Sequence, residues 1–189
     1  MRDSHNKNRR VFLSNFLLAG IGLYGSNTIL ALSLKRMQSR PEDLFMAVSD
    51  RERCPVCGMF VKPYPKWITQ IQFRGGHQHS FDGVKCFFRF YFNPEKYDPD
   101  VKPASFNRLL VRDYYTLRFI AHDEAYYVVG SNIHGPMGHE LIPFASRSSA
   151  RTFMSDHKGL KIFRFQDITP ELLDQLDKAK RTVVLEEEK

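Results

Sequence analysis

Cysteine is scarce in this chain: three in 189 residues, none of them before Cys54. The sequence therefore has no thiol near its start to carry a lipid. Two cysteines could pair and leave one over, but a Cys-x-x-Cys loop is too small to stabilise much as a staple. Acidic residues are nearly missing from the first 40 positions, where Arg2, Lys7, Arg9, Arg10, Lys35, Arg36 and Arg40 face only Asp3. The other 149 residues carry 21 basic and 20 acidic side chains, so the formal net charge of +7 belongs to the N-terminal segment. A nucleic-acid partner loses its support, because the body lacks the basic excess that such binding needs. Long apolar runs are missing too. The one from Phe16 to Gly25 is about ten residues, cut short by Ser26, Asn27 and Thr28, where a membrane span needs roughly 20.

The start has its own layout. Asn8-Arg9-Arg10-Val11-Phe12-Leu13-Ser14 precedes the short apolar stretch, the pattern of a twin-arginine export signal over residues 1–34. Ala31-Leu32-Ser33 offers a small-x-small cleavage site. Left uncut, the segment would serve as a signal anchor and a membrane tether. Export by this route places the folded body in the periplasm or on the outer face of the cytoplasmic membrane, where oxidising conditions make each thiol a chemical choice.

With 42% apolar and 13% aromatic residues, the body can build a core. Residues 35–52 are polar, with Pro41 in the middle, and read as a linker. Trp67 to Phe73 alternates as a half-buried strand, Arg74-Gly75-Gly76-His77 is a hairpin turn, and Gln78 to Phe81 returns. Asp82 caps a helix with the stripe Val84, Phe87, Phe88 and Tyr91, ended by Pro94. Pro94 to Asn107 is a loop, Leu109 to Tyr115 a strand, and Thr116 to Ile120 its continuation. The order then recurs: strand Ala125 to Gly130, loop Ser131 to His139, strand Glu140 to Ala145, a helix capped by Ser146 and stopped by Gly159, and strand Leu160 to Phe165. This is an α+β fold of two ββαβ repeats, about 53–121 and 122–168, with antiparallel hairpins and one helix on each sheet. Thr169-Pro170 opens a last helix to about Arg181, and residues 182–189 form a frayed tail.

The chemistry gathers at Cys54-Pro55-Val56-Cys57-Gly58-Met59, two thiols and a thioether in six residues. The Cys-x-x-Cys spacing by itself is open among zinc, thiol-disulfide exchange, copper and a structural role. A redox pair of the thioredoxin kind would open a helix after a core strand, but Gly58 and the turn at Lys62-Pro63-Tyr64-Pro65 follow instead. Zinc would take Cys54, Cys57 and Cys86 with His77 or His79 from the hairpin. Sulfur from thiolate and thioether favours Cu(I). In Gly135-Pro136-Met137-Gly138 the flanking glycines let the chain turn tightly enough to present a thioether, with His134 and His139 as further candidate ligands.

These residues carry a resemblance. Cys57-Gly58-Met59, Phe81-Asp82 running into a helix with Cys86, Val111-x-Asp113-Tyr114-x-Thr116, Ala125-Tyr126-Tyr127-Val128, Gly135-Pro136-Met137-Gly138, Phe144-Ala145 and Phe163-Arg164-Phe165 occur in the order in which they resemble the NosL family, from about Arg53 to Leu173. The resemblance implies a pair of ββαβ units over 53–181 with the last helix. It also implies a Cu(I)-binding chaperone, not an enzyme, that delivers copper for maturation of nitrous oxide reductase. The partner would be the apo-enzyme or its ABC-type maturation complex. Cys57, Met59 and Met137 become the favoured ligands, with Cys54 as helper. A thiol-disulfide oxidoreductase using Cys54 and Cys57, or a zinc-stabilised interaction protein, is the alternative. The sequence departs from the family where lipoprotein members carry an attachment cysteine, and at Gly83 and His139.

Overall fold

The structure, a computed structural model, describes residues 45–178. The signal or anchor at 1–34, the linker up to residue 44, the tail at 182–189 and the extension of the last helix to Arg181 lie outside the described residues.

Strand β1 (Thr69–Phe73) turns through Gly76, whose φ of +82° suits glycine, into β2 (Gln78–Phe81). Helix α1 (Val84–Phe92) follows, then Pro94 at the first position of a one-turn helix α2 (Pro94–Tyr97) inside the expected loop. Strands β3 (Phe106–Arg112) and β4 (Phe119–Ala121) complete an antiparallel sheet of order β2-β1-β3-β4. The second part contains β5 (Tyr126–Val129), a miniature hairpin of β6 (His134–Gly135) and β7 (Gly138–His139), β8 (Ile142–Phe144), α3 (Arg147–Asp156) and β9 (Lys161–Phe163). Its sheet is antiparallel in the order β8-β5-β9, and α4 (Pro170–Asp177) closes the described chain. The fold is α+β, as expected. Among the described residues no helix is long and apolar enough to cross a membrane.

Several local expectations need correction. β1 is buried on both faces: Ile71 and Phe73 enter the core, while Gln70 and Gln72 are covered as well. Part of the cover, over Gln70, comes from Met46, in the stretch that reads as linker. The Gln70 side chain donates to the Met46 carbonyl at 2.6 Å and accepts from the Met46 N–H at 3.3 Å, and Phe45 stacks on Phe119 at 4.4 Å. β3 stops at Arg112 because Asp113 makes a turn, its Oδ1 accepting from Thr116 N at 2.7 Å and Tyr115 N at 3.1 Å. Its Oδ2 accepts from Ala145 N at 2.6 Å, so this buried carboxylate also ties β3 to the strand-to-helix turn of the second sheet.

At α1 the expected cap by Asp82 fails: Gly83 is the N-cap, and no side chain caps it. Ser146 and Thr169 do cap their helices, accepting from Ser149 N and Leu172 N. At the end of α3 the left-handed residue is Lys158, with φ 55°, not Gly159. Gly159 donates to Met154 O at 2.8 Å and lies so close to β5 that a Cβ would meet Val128 Cγ1 at 2.6 Å.

Helix α1 is buried almost all round: Val84, Lys85, Cys86, Phe87, Phe88 and Phe90 are each at most 3% exposed. It packs on β1 and β2, with α2 and α4 against its other sides. Phe81, Phe87, Phe88 and Tyr127 meet in edge-on pairs, each such ring contributing about 1.5–3 kcal/mol by burial. Such a helix holds its side chains firmly, which matters for Lys85 and Cys86.

Candidate metal centre

The Cys-Pro-Val-Cys-Gly-Met stretch is a closed loop. Cys54 N donates to Met59 O at 2.8 Å and Gly58 N to Cys54 O at 2.9 Å, with Gly58 at φ +78°. Arg53 clamps the outside, donating to Gly58 O at 2.8 Å and lying 3.9 Å over the Phe60 ring. The loop buries Cys54, 1% exposed, and leaves Cys57 half-buried.

Cys86, from the first turn of α1, and Asp82, between β2 and the helix, complete the group. The sulfurs of Cys54, Cys57 and Cys86 and a carboxylate oxygen of Asp82 all lie within 4.8 Å of one another. The Cys57 thiol donates to Asp82 Oδ1 at 3.2 Å, while Asp82 Oδ2 is buried with no partner among the described residues. A hydrogen bond from the Cys86 thiol is the main influence on Cys54 and holds its pKa below the ordinary thiol value, against the effect of burial. The same bond, with burial, pushes Cys86 up. Burial pushes Cys57 up to about 12. Incoming metal must therefore displace protons from Cys57 and Cys86, since the thiolate is the ligand.

Next to this cluster a cavity of about 480 Å³ is lined by Cys57, Cys86, Met137, Lys85, Arg89 and Tyr97. Met137 stands at the turn of the β6–β7 hairpin, 43% exposed. The hairpin is tied down from below. Lys85 Nζ, its side chain 2% exposed, donates to Met137 O and to Asp177 Oδ1, both at 2.7 Å. Glu140, also buried, accepts from Lys85 N at 2.9 Å, and burial pushes it up to about 8 against the pull of the Lys85 charge. Gly135 is required here, because a Cβ would meet Glu140 Cγ at 2.4 Å.

The candidate residues thus separate. Cys54 and Cys57 join Cys86 and Asp82, and Met137 shares a cavity wall with Cys57 and Cys86. Met59 borders a different depression, of about 370 Å³, with Arg53, Phe60 and Tyr64, and Cys57 lines that one too. The histidines do not meet the thiols: among the described residues the metal-capable group contains none. His77 stacks on Phe73 at 4.4 Å, His79 bonds Asp98 at 2.8 Å, and His134 and His139 face each other across the hairpin at 4.6 Å. Sequence reasoning misses Asp82, treated as a cap, and the buried pair Lys85 and Glu140. One signal was present: Asp82 lies four residues before Cys86, where both can face one point at a helix start.

Fold and cluster together define a small α+β protein with a sulfur-rich site whose donors suit a soft metal ion. A family model described as NosL matches residues 45–173. The chain belongs to the NosL family. It is similar to the copper-binding lipoprotein NosL of Stutzerimonas stutzeri, 28% identical over 132 residues, covering 69% of this chain and 68% of that protein. Its fold is that of the crystal structure of the copper chaperone NosL from Shewanella denitrificans, with a TM-score of 0.58 and 24% identity over 67% of this chain and 96% of that one.

Proposed function

We propose that the chain is an exported Cu(I)-binding metallochaperone that delivers copper for maturation of nitrous oxide reductase and catalyses no bond-making of its own. The observation that carries this reading is the position of Cys57, which borders both the cavity of Met137 and the depression of Met59 while its sulfur lies against the other thiols. Cys57, Met59 and Met137 are the ligands that capture the ion and hand it on, with Cys54 as helper. Thioethers stay neutral at any pH and bind Cu(I) without losing a proton, so a site rich in them releases its cargo readily. A sulfur or imidazole from the apo-reductase or its ABC-type maturation complex joins the ion before a thioether leaves. Export by the twin-arginine route puts the site in the periplasm. A duplicated ββαβ unit underlies the fold, a view supported by the shared arrangement in which the first strand of each sheet lies between the second and the one after the helix.

Full-length protein, purified reduced and without oxygen, should compete with a Cu(I) chelator for one ion. Cys57→Ser should weaken that binding sharply with unchanged thermal melting, and Met137→Ala should sharply slow capture of Cu(I) from a weak chelator. Unchanged binding in the first variant and unchanged capture in the second put the site elsewhere. A second reading has one observation behind it: with Asp82 the three thiols make the four donors of a tetrahedral zinc site. Stoichiometric zinc in the anaerobically purified protein, with Met59→Ala and Met137→Ala inert, would favour it.

A further inference from the structure

We propose a second Cu(I) position inside the first, a three-sulfur site of Cys54, Cys57 and Cys86 that shares Cys57 with the thioether-facing position. It rests on the copper reading and adds to it a place where the cargo is retained. Around a metal bound at about 2.3 Å, three sulfurs in one plane stand about 4 Å apart. The three thiol sulfurs here lie within 4.8 Å of one another before any ion enters.

Buried cysteines often serve as small apolar fillers, but the surroundings of this trio are not those of filler. The Cys86 thiol is turned onto Cys54 and the Cys57 thiol onto Asp82. Asp82 is fully buried, and its second oxygen has no partner among the described residues. An apolar core does not keep an unpartnered carboxylate, because its desolvation is costly. Asp82 is a hard oxygen donor that Cu(I) does not seek, so its role here is to orient the Cys57 sulfur.

The two positions differ in access. Cys54 and Cys86 are 1% and 3% exposed, whereas Met137 is 43% exposed. An ion arriving at Met137 and Cys57 moves inward by exchanging thioether for thiolate at a copper that keeps its Cys57 bond throughout. Each copper–thiolate bond formed releases one proton to water, and copper remains Cu(I). Lys85, Arg89 and Lys96 line the adjoining cavity with Asp177 as the one acid among them, so its lining carries a net positive charge toward the negative complex. Delivery runs the same path in reverse, so the ion leaves only through the half-buried sulfur that a partner can reach.

The test uses full-length, selenomethionine-labelled protein, reduced and loaded with one equivalent of Cu(I). Copper-edge X-ray absorption should show sulfur scattering without selenium in the wild type. Selenium should appear in the Cys54→Ala/Cys86→Ala double variant, whose affinity in chelator competition should fall at least about tenfold, the loss that even an outer-shell partner commonly causes. Copper–selenium scattering in the wild type would overturn the inner position, whatever the variant's folding. So would wild-type affinity in a folded double variant. Failure of the wild type to bind Cu(I) at all would instead refute the copper reading.

Discussion

Glu140→Gln should abolish a pH dependence that the wild-type fold carries. Glu140 is 2% exposed, its Oε2 accepts from Lys85 N at 2.9 Å, and its Oε1 has no partner among the described residues. Burial raises its pKa from the ordinary 4.5 to about 8, the Lys85 charge and N–H opposing and Asp82 reinforcing. The folded state therefore holds a proton that the unfolded chain has given up over this window. The contribution of Glu140 to stability is greatest below the ordinary carboxyl value and falls as pH rises toward 8. The loss is about 1.4 kcal/mol per pH unit, or roughly 4–5 kcal/mol across the whole window. Glutamine keeps the shape of the neutral acid and cannot ionise, so it removes this slope. Urea unfolding of both proteins at pH 5, 6, 7 and 8 gives the comparison, and the difference between them cancels every other titrating group. The wild type should be no less stable than the variant at pH 5 and clearly less stable at pH 8. A difference that stays flat with pH, or grows in favour of the wild type, would refute the assignment of Glu140 as a proton-holding buried acid.

Two further substitutions probe the loop and the hairpin. Gly58→Ala places a Cβ on a residue at φ +78°, with nothing within 4 Å for it to strike. It should cost only about 1–2 kcal/mol of backbone strain by thermal melting, yet weaken Cu(I) binding by loosening the turn that aims Cys57. Lys85→Met removes the ammonium that donates to Met137 O and Asp177 Oδ1. Charged hydrogen bonds contribute about 1.5–3 kcal/mol each, and relief from burying the charge offsets part of this. A net loss of about 2 kcal/mol in urea is expected, with the Glu140 transition moved to higher pH.

Much of the fold was legible because its signals are local. Hydrophobic period, the Ser146 and Thr169 caps, Pro170 and the Gly75-Gly76 turn each act within a few residues, and the elements they mark are found near their expected places. The misses have long-range causes. Gln70 alternates like a solvent-facing residue, but Met46 covers it from 24 positions away. Asp82 has the chemistry of a cap and the right position, but its carboxylate turns to the Cys57 thiol, 25 residues distant in sequence. Gly159 looks like a left-handed stop, but the side chain of Val128 on a neighbouring strand is what excludes a larger residue there.

The sequence alone determined the α+β class, the gathering of two thiols and a thioether within Cys54–Met59, and a glycine-flanked Met137, since each depends on residue types at short spacing. Only the tertiary structure decided that Cys86 and Asp82 join Cys54 and Cys57, that Met59 and Met137 border different surfaces of the same Cys57, and that the histidines stay away. The physical reason is the burial of α1 on nearly every side. A helix covered over its first turns by a sheet, two other helices and a hairpin exposes little beyond Arg89 and Phe92, so Lys85 and Cys86, one position off the apolar stripe, end inside and meet whatever the fold brings to them.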